Sequence, residues 1–384
     1  MVGVSLTGSV FVGIVTALAV VAFIALVAVW PRLAGRRPGG ILARTGLLLT
    51  VNLLVLLAAA VQLNAKYLFF AGWTDLGGAM GGHVTTTALS RGGTGAKAAA
   101  AQVNGPAATS NGVLPPLPPS ADRLGGVIVS TVHGPLSGLT GTVVVRIPPG
   151  YTVRAVGAGT RYPVLETFNG YPGTPMQWLA TMQLGSAMDA GAVDKKMRPA
   201  VIVSPQLEFP PGVDTECVNG APGPAVEAWL TKDVPNFVAR TYRVDTSRSS
   251  WATIGLSAGG WCAAMATMLH PAQYSGAIVM GGYFRPWFGA QYEAFPPGSH
   301  EAKRYNLVAL AHKPPPVAIW LETSHSDPDS YTSSAKFLKV VRPPLSVDAV
   351  VLRNAGHRIQ IWQALLPQAL TWLGATIPGF RPLP

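Results

Sequence analysis

The chain has 384 residues, 49% of them apolar and only 12% charged, where an ordinary soluble domain is about a quarter charged. That excludes a disordered, charge-driven protein and points to membrane segments, a large core, or both. The formal charge of +11 comes from basic residues scattered without a run of five or six, which argues against nucleic-acid binding and suits a surface near an anionic layer.

Read in chain order, no charge precedes Arg32, and Val4 to Trp30 is almost wholly apolar. Crossing the hydrocarbon core takes about 20 such residues, so a first span is predicted at about 4–30. Arg32, Arg36, Arg37 and Arg44 follow, and then an uncharged, Leu-rich run predicts a second span at about 45–65. Lys66, Tyr67, Phe69, Phe70 and Trp73 read as an interfacial group closing a membrane anchor over residues 1–73. The arginine-rich loop marks the cytoplasmic side, which places both termini and all that follows residue 73 outside the cytoplasm. The competing reading is a pair of core helices in a soluble protein.

Residues 74–121 are rich in Gly, Ala, Thr and Pro, end in LPPLPPSAD, and read as a tether. A catalytic domain is predicted over 122–384. GGVIVSTVHG and TGTVVVRIPPGY form a hairpin, followed by strands at RYPVLETFNG, RPAVIVSPQ, WATIGL, YSGAIVMGG, PPVAIWLET and SVDAVVLRNAG. Helices are predicted at MQWLATMQLGSAMDAG, AVEAWLTKDVPNFVARTY, WCAAMATMLHP and WQALLPQALTWLGATI. Strands alternating with helices predict an α/β fold with a mostly parallel sheet covered on both faces.

Gly255-Leu256-Ser257-Ala258-Gly259 matches G-x-S-x-G, with a strand before it and a helix after it. That context makes Ser257 a candidate nucleophile on a tight strand-to-helix turn. The base should come late in the chain, and His357 lies between the last strand and the last helix. The acid should follow the strand PPVAIWLET. Asp327 is preferred, Asp329 is the alternative, and Glu322 is still on the strand. Backbone N–H groups of Ala258 and of Tyr171, in the turn NGYPG, are the candidate oxyanion donors. The segment YFRPWFGAQYEAFPPGSH reads either as an apolar wall for an acyl chain or as a packing cluster. There is no metal constellation, phosphate loop or nicotinamide or flavin fingerprint, so neither metal nor cofactor is expected.

YPVLETFNGYPG, GLSAGGWCAAM, a late acid and NAGHRIQIW together resemble the esterase D branch of the α/β-hydrolases, which includes actinobacterial secreted esterases and mycolyltransferases. The resemblance covers roughly residues 122–384. It implies a serine triad of Ser257, His357 and Asp327, with Tyr171 and Ala258 in the oxyanion hole. Asn169 stands where the mycolyltransferases usually carry an acidic residue. Outside the cytoplasm, Cys217 and Cys262 are expected to form a disulfide. The function expected is hydrolysis of acyl or lipid esters by a membrane-anchored enzyme. The alternatives are transfer of the acyl group to a lipid or sugar hydroxyl, or a non-catalytic envelope-binding module. An ester substrate and the membrane are the expected partners, without nucleic acid.

Overall fold

A computed structural model of the chain describes residues 5–33, 38–81, 86–103, 125–151, 161–290 and 292–383. It divides into two compact units, Met1–Thr85 with Arg353–Arg358, and Thr86–Leu352 with Ile359–Pro384.

The first unit is built on a helical hairpin of α1 (Ser9–Val29) and α2 (Pro38–Tyr67). Both helices are long and apolar enough to cross a membrane. Val15 and Ala19 pack against Ala58 and Val61, and the Gln62 amide donates to the Thr16 hydroxyl at 3.1 Å. Small side chains let the backbones approach, and the polar pair finds its partner inside the hairpin. Many of the large apolar side chains point away from this seam, with Phe23 55% and Leu53 67% exposed. The second helix starts seven residues earlier than the Leu-rich run, because Pro38 fits a first helical position. Arg44 is therefore on α2 and not in the loop. It donates to Gly40 O at 3.3 Å and lies 5.7 Å from the Trp30 ring. Arg36 and Arg37 lie outside the described residues.

In the second unit, nine strands among the described residues form one sheet in the order β1-β9-β8-β7-β6-β4-β5-β3-β2. They are β1 (Thr86–Gly92), β2 (Gly126–His133), β3 (Thr140–Ile147), β4 (Val164–Phe168), β5 (Val201–Pro205), β6 (Trp251–Leu256), β7 (Gly276–Met280), β8 (Ala318–Ser324) and β9 (Ser346–Leu352). The six central strands are parallel, and every residue of β4 to β8 is buried, which explains their unbroken apolar runs. The predicted β2–β3 hairpin lies antiparallel at one edge.

The other edge corrects the expected tether. Thr86–Gly92 pairs antiparallel with β9, and a short helix, Gly95–Ala100, buries Ala98 and Ala99. Arg248 donates to the carbonyls of Ala99 at 2.7 Å and Ala101 at 2.6 Å, tying this stretch to the fold. An edge strand of sequence TTALSRG carries no apolar alternation, so only its partner β9 makes it a strand. The expected tether also begins as a helix, Trp73–Gly81, and its residues 82–85 and 104–121 lie outside the described residues. Two predicted helices are also interrupted. Gln183, at φ 52°, separates a turn at Gln177–Ala180 from the helix Leu184–Val193. The helix over 226–241 widens into a π-turn at Trp229–Asp233, just before Pro235, whose ring removes one N–H.

One buried ionic cluster gives the unit a pH dependence. The Glu227 carboxylate accepts from Arg304 Nη1 at 2.6 Å and from the Tyr305 hydroxyl, and it lies 2.6 Å from His270 Nε2. Burial by itself would raise this carboxyl, but the hydrogen bonds of His270 and Arg304 outweigh it and hold it at about 2. A depressed carboxyl stabilises the fold above its ordinary value near 4.5 and loses that contribution as pH falls toward about 2. Glu227→Gln should therefore cost about 3 kcal/mol at neutral pH, and the gap from the unaltered protein should close below the folded value. Urea unfolding at the two pH values measures this. Curves that stay parallel would assign the acid response elsewhere.

Candidate active site

Ser257 joins β6 to a helix at Ala258–Leu269 and has φ 57° and ψ −125°, a backbone conformation rarely adopted by non-glycine residues. The flanking glycines make this turn possible. A Cβ on Gly255 would sit 1.8 Å from Gly259 O, and one on Gly259 would sit 2.1 Å from Phe168 O. The turn is held by Ser257 N–H donating to Met280 O at 2.8 Å and by Gly260 N–H donating to Ser257 O at 2.9 Å. The helix that follows starts at Ala258, so its first N–H groups lie beside the serine.

The turn after β4 comes against this elbow. A Cβ built on Gly170 would be 3.3 Å from Ser257 Cβ. Asn169, Gly170, Tyr171, Ala258, Cys217 and Cys262 line one small, shallow pocket. Both candidate oxyanion residues thus line the same pocket, with Ala258 directly after Ser257 in the chain. Gln177 and Glu208, which help to fix this loop, were not foreseen. Gln177 Oε1 accepts from Gly170 N–H at 3.2 Å, and the Tyr171 hydroxyl donates to Gly212 O at 2.8 Å. Glu208 accepts from Gly173 N–H at 3.1 Å and from Gly212 N–H at 2.7 Å, stapling two loops. Glu208 reaches Gly173 across 35 residues, and no motif in the chain marks that contact. Deeper in, burial and then the charge of Asp214 push the Glu216 carboxyl well above its ordinary value, while the Tyr283 hydroxyl donates to it at 2.6 Å.

Cys217 and Cys262 are joined in a disulfide. It ties the loop after β5 to the helix leaving Ser257, beside Trp261 Nε1 donating to Glu216 O at 2.8 Å. Closing 45 residues stabilises by about 4 kcal/mol on the chain-entropy view. Cys217→Ala should lower the melting temperature and also reduce activity measured well below it, since the bond borders the cleft. Adding Cys262→Ala should cost little more, because the bond is already gone. Full additivity of the two substitutions would contradict this.

β8 runs parallel to β6 and β7, so the residues after it emerge at the same sheet end as Ser257. Asp327 is 7% exposed and caps the helix Pro328–Val340, accepting from Ser330 N–H. Asp329 is exposed in the first turn of that helix. Glu322 is buried on β8, where it accepts from Gly281 N–H at 2.9 Å and Trp362 Nε1 at 3.0 Å. The aromatic segment after β7 packs largely on itself and the core. Phe284 stacks on Phe337 and Phe295 on Tyr305, while Trp287 stays 62% exposed.

His357 lies between β9 and the final helix, Ile359–Thr376, in the loop Arg353–Arg358 that belongs to the first unit. Its N–H donates to Leu68 O at 2.8 Å. Next to it, Arg358 grips Asp75 through two bonds, of 2.6 and 2.8 Å. Sequence reading passed over Asp75. The available signal was its isolation, since it is the first acidic residue of the chain and the next is Asp122.

A mostly parallel sheet, with a strained serine between a central strand and its helix, defines an α/β-hydrolase, a fold class that includes many esterases. The Esterase family model matches residues 138–373, and the chain belongs to that family. Solved structures share the fold. A ferulic acid esterase superposes with a TM-score of 0.52 at 18% identity, covering 66% of this chain and 99% of its own. The S-formylglutathione hydrolase of Agrobacterium tumefaciens gives 0.53 at 14% identity, over 66% and 96%. A fluorophosphonate-binding serine hydrolase of Staphylococcus aureus gives 0.51 at 14% identity, over 65% and 98%. An uncharacterized protein of Corynebacterium glutamicum is 26% identical over 145 residues, which is 38% of this chain but one third of that relative's length.

Proposed function

We propose that this chain is a membrane-anchored serine esterase whose hydrolase unit faces away from the cytoplasm and cleaves acyl or lipid esters. The observation that carries the reading is the backbone of Ser257, held at φ 57° where β6 turns into its helix, with Gly170 against it. Ser257 attacks the acyl carbonyl while His357 takes its proton and Asp327 orients the imidazole and stabilises its charged form. The N–H groups of Ala258 and Tyr171 bind the oxyanion that develops. The alcohol leaves with the proton from His357, and water resolves the acyl-enzyme by the same route in reverse. A lipid or sugar hydroxyl that reaches the acyl-enzyme in place of water would make the reaction an acyl transfer. The anchor reading rests on the two apolar helices of the first unit and on the arginines between them.

Mass spectrometry of products from envelope lipids, with and without an added alcohol, separates the two outcomes. Free acid in both mixtures is expected, and a new ester as the main product would reassign the reaction to transfer. A fluorophosphonate probe should label Ser257, whereas a non-catalytic module would stay unlabelled. Thr94→Cys, at an exposed position, should react with an impermeant reagent on intact cells. Reaction only after lysis would invert the topology.

A further inference from the structure

The residues just after the second apolar helix do more than connect. At the end of α2, the buried Asn64 holds the turn that follows, accepting from Phe70 N–H at 2.7 Å and donating to Phe70 O at 3.0 Å. That turn carries Leu68 and Phe69, whose carbonyls accept from His357 N–H at 2.8 Å and from Arg358 Nη1 at 3.0 Å. Asp75 completes the arrangement. Its carboxylate is 4% exposed and accepts from Ala71 N–H at 2.9 Å, from Gly356 N–H at 2.9 Å, and from both terminal nitrogens of Arg358. Arg358 also lies 4.9 Å from the Phe70 ring centre. The fit is close enough that a Cβ on Gly356 would come within 2.3 Å of Phe69 O. The residues on both sides of His357 are thus fixed by the chain that leaves the membrane helix.

The geometry points to Asp75 as a positioning residue for catalysis. Through Arg358 and the Gly356 N–H it sets the backbone of the histidine loop, so the membrane-proximal segment 64–75 builds part of the catalytic apparatus. The inference rests on His357 being the base. A bidentate Asp–Arg pair removed from water is directional as well as strong, which suits it to fixing a loop. Catalytic groups tolerate little displacement, and an error of about 1 Å costs on the order of a hundredfold in rate. Neither Asp75 nor Arg358 touches substrate in this scheme.

The test uses the full-length protein in detergent micelles with a chromogenic short-chain ester, and counts active sites by fluorophosphonate titration. Asp75→Asn keeps the size of the side chain and removes the charge. It should lower kcat per titrated site by about ten- to a hundredfold, with KM within about twofold. Asp75→Ala paired with Arg358→Ala should be no worse than Asp75→Asn, because both act through one contact. Arg358→Lys keeps the charge but loses the fork, and should fall between Asp75→Asn and the unaltered protein. A purely structural role would instead reduce the number of titratable sites and leave kcat per site unchanged, which would overturn the proposal. His357→Ala is the reference. If it stays active, the assignment of the base fails. If it is inactive while Asp75→Asn turns over normally, the positioning role fails alone.

Discussion

Ser257→Ala is expected to lower ester turnover by about a millionfold while leaving the fold intact. The size follows from the division of labour at the elbow. The oxyanion donors and the binding cleft still act on the ester, but no acyl-enzyme can form, so only the residual catalysis of those groups remains. The turn is held by backbone bonds of Ser257 to Met280 O and of Gly260 to Ser257 O, which alanine keeps. Alanine must adopt the same positive φ as the serine, so the backbone strain is unchanged and the melting temperature should hold within a few degrees. Turnover near that of the unaltered protein would refute the nucleophile assignment.

Asp327→Asn is expected to lower kcat by about ten-thousandfold, because an amide presents the wrong partner to the imidazole and cannot stabilise its charge. The substitution separates catalysis from stability. Asp327 also caps the helix that begins at Pro328, and asparagine caps a helix as well as aspartate does. The melting temperature should therefore hold while activity falls. Asp329→Asn makes the contrast. Asp329 is exposed in the first helical turn, where its charge meets the helix dipole and is worth only a few tenths of a kcal/mol. Steady-state kinetics on the two variants decides between the carboxylates, and a reversed order would move the triad acid to Asp329.

The central parallel strands were legible because burial on both faces leaves continuous apolar runs between turn residues, as in AVIVSP and GAIVM. The elbow was legible because tight backbone approach admits only small neighbours, and that steric demand writes G-x-S-x-G into the chain. The strand at Thr86–Gly92 was not, because an edge strand of threonine, serine and glycine is defined by its hydrogen bonds to β9. The break at Gln183 escaped for a similar reason, since the helical spacing of apolar residues runs straight through it.

The sequence by itself determined the two apolar helices, the positions of eight of the strands, the serine turn and the pairing of its only two cysteines. These follow from local rules of apolar length, periodicity, steric size and count. Only the tertiary structure decided that Glu208 staples the loops around the cleft, that Asp327 is buried while Asp329 is exposed, and that Asp75 grips the loop of His357. Asp75 and Arg358 are 283 residues apart. A carboxylate and a guanidinium far apart in sequence pair only after other forces have brought their segments together, so the contact leaves no periodic trace in the chain.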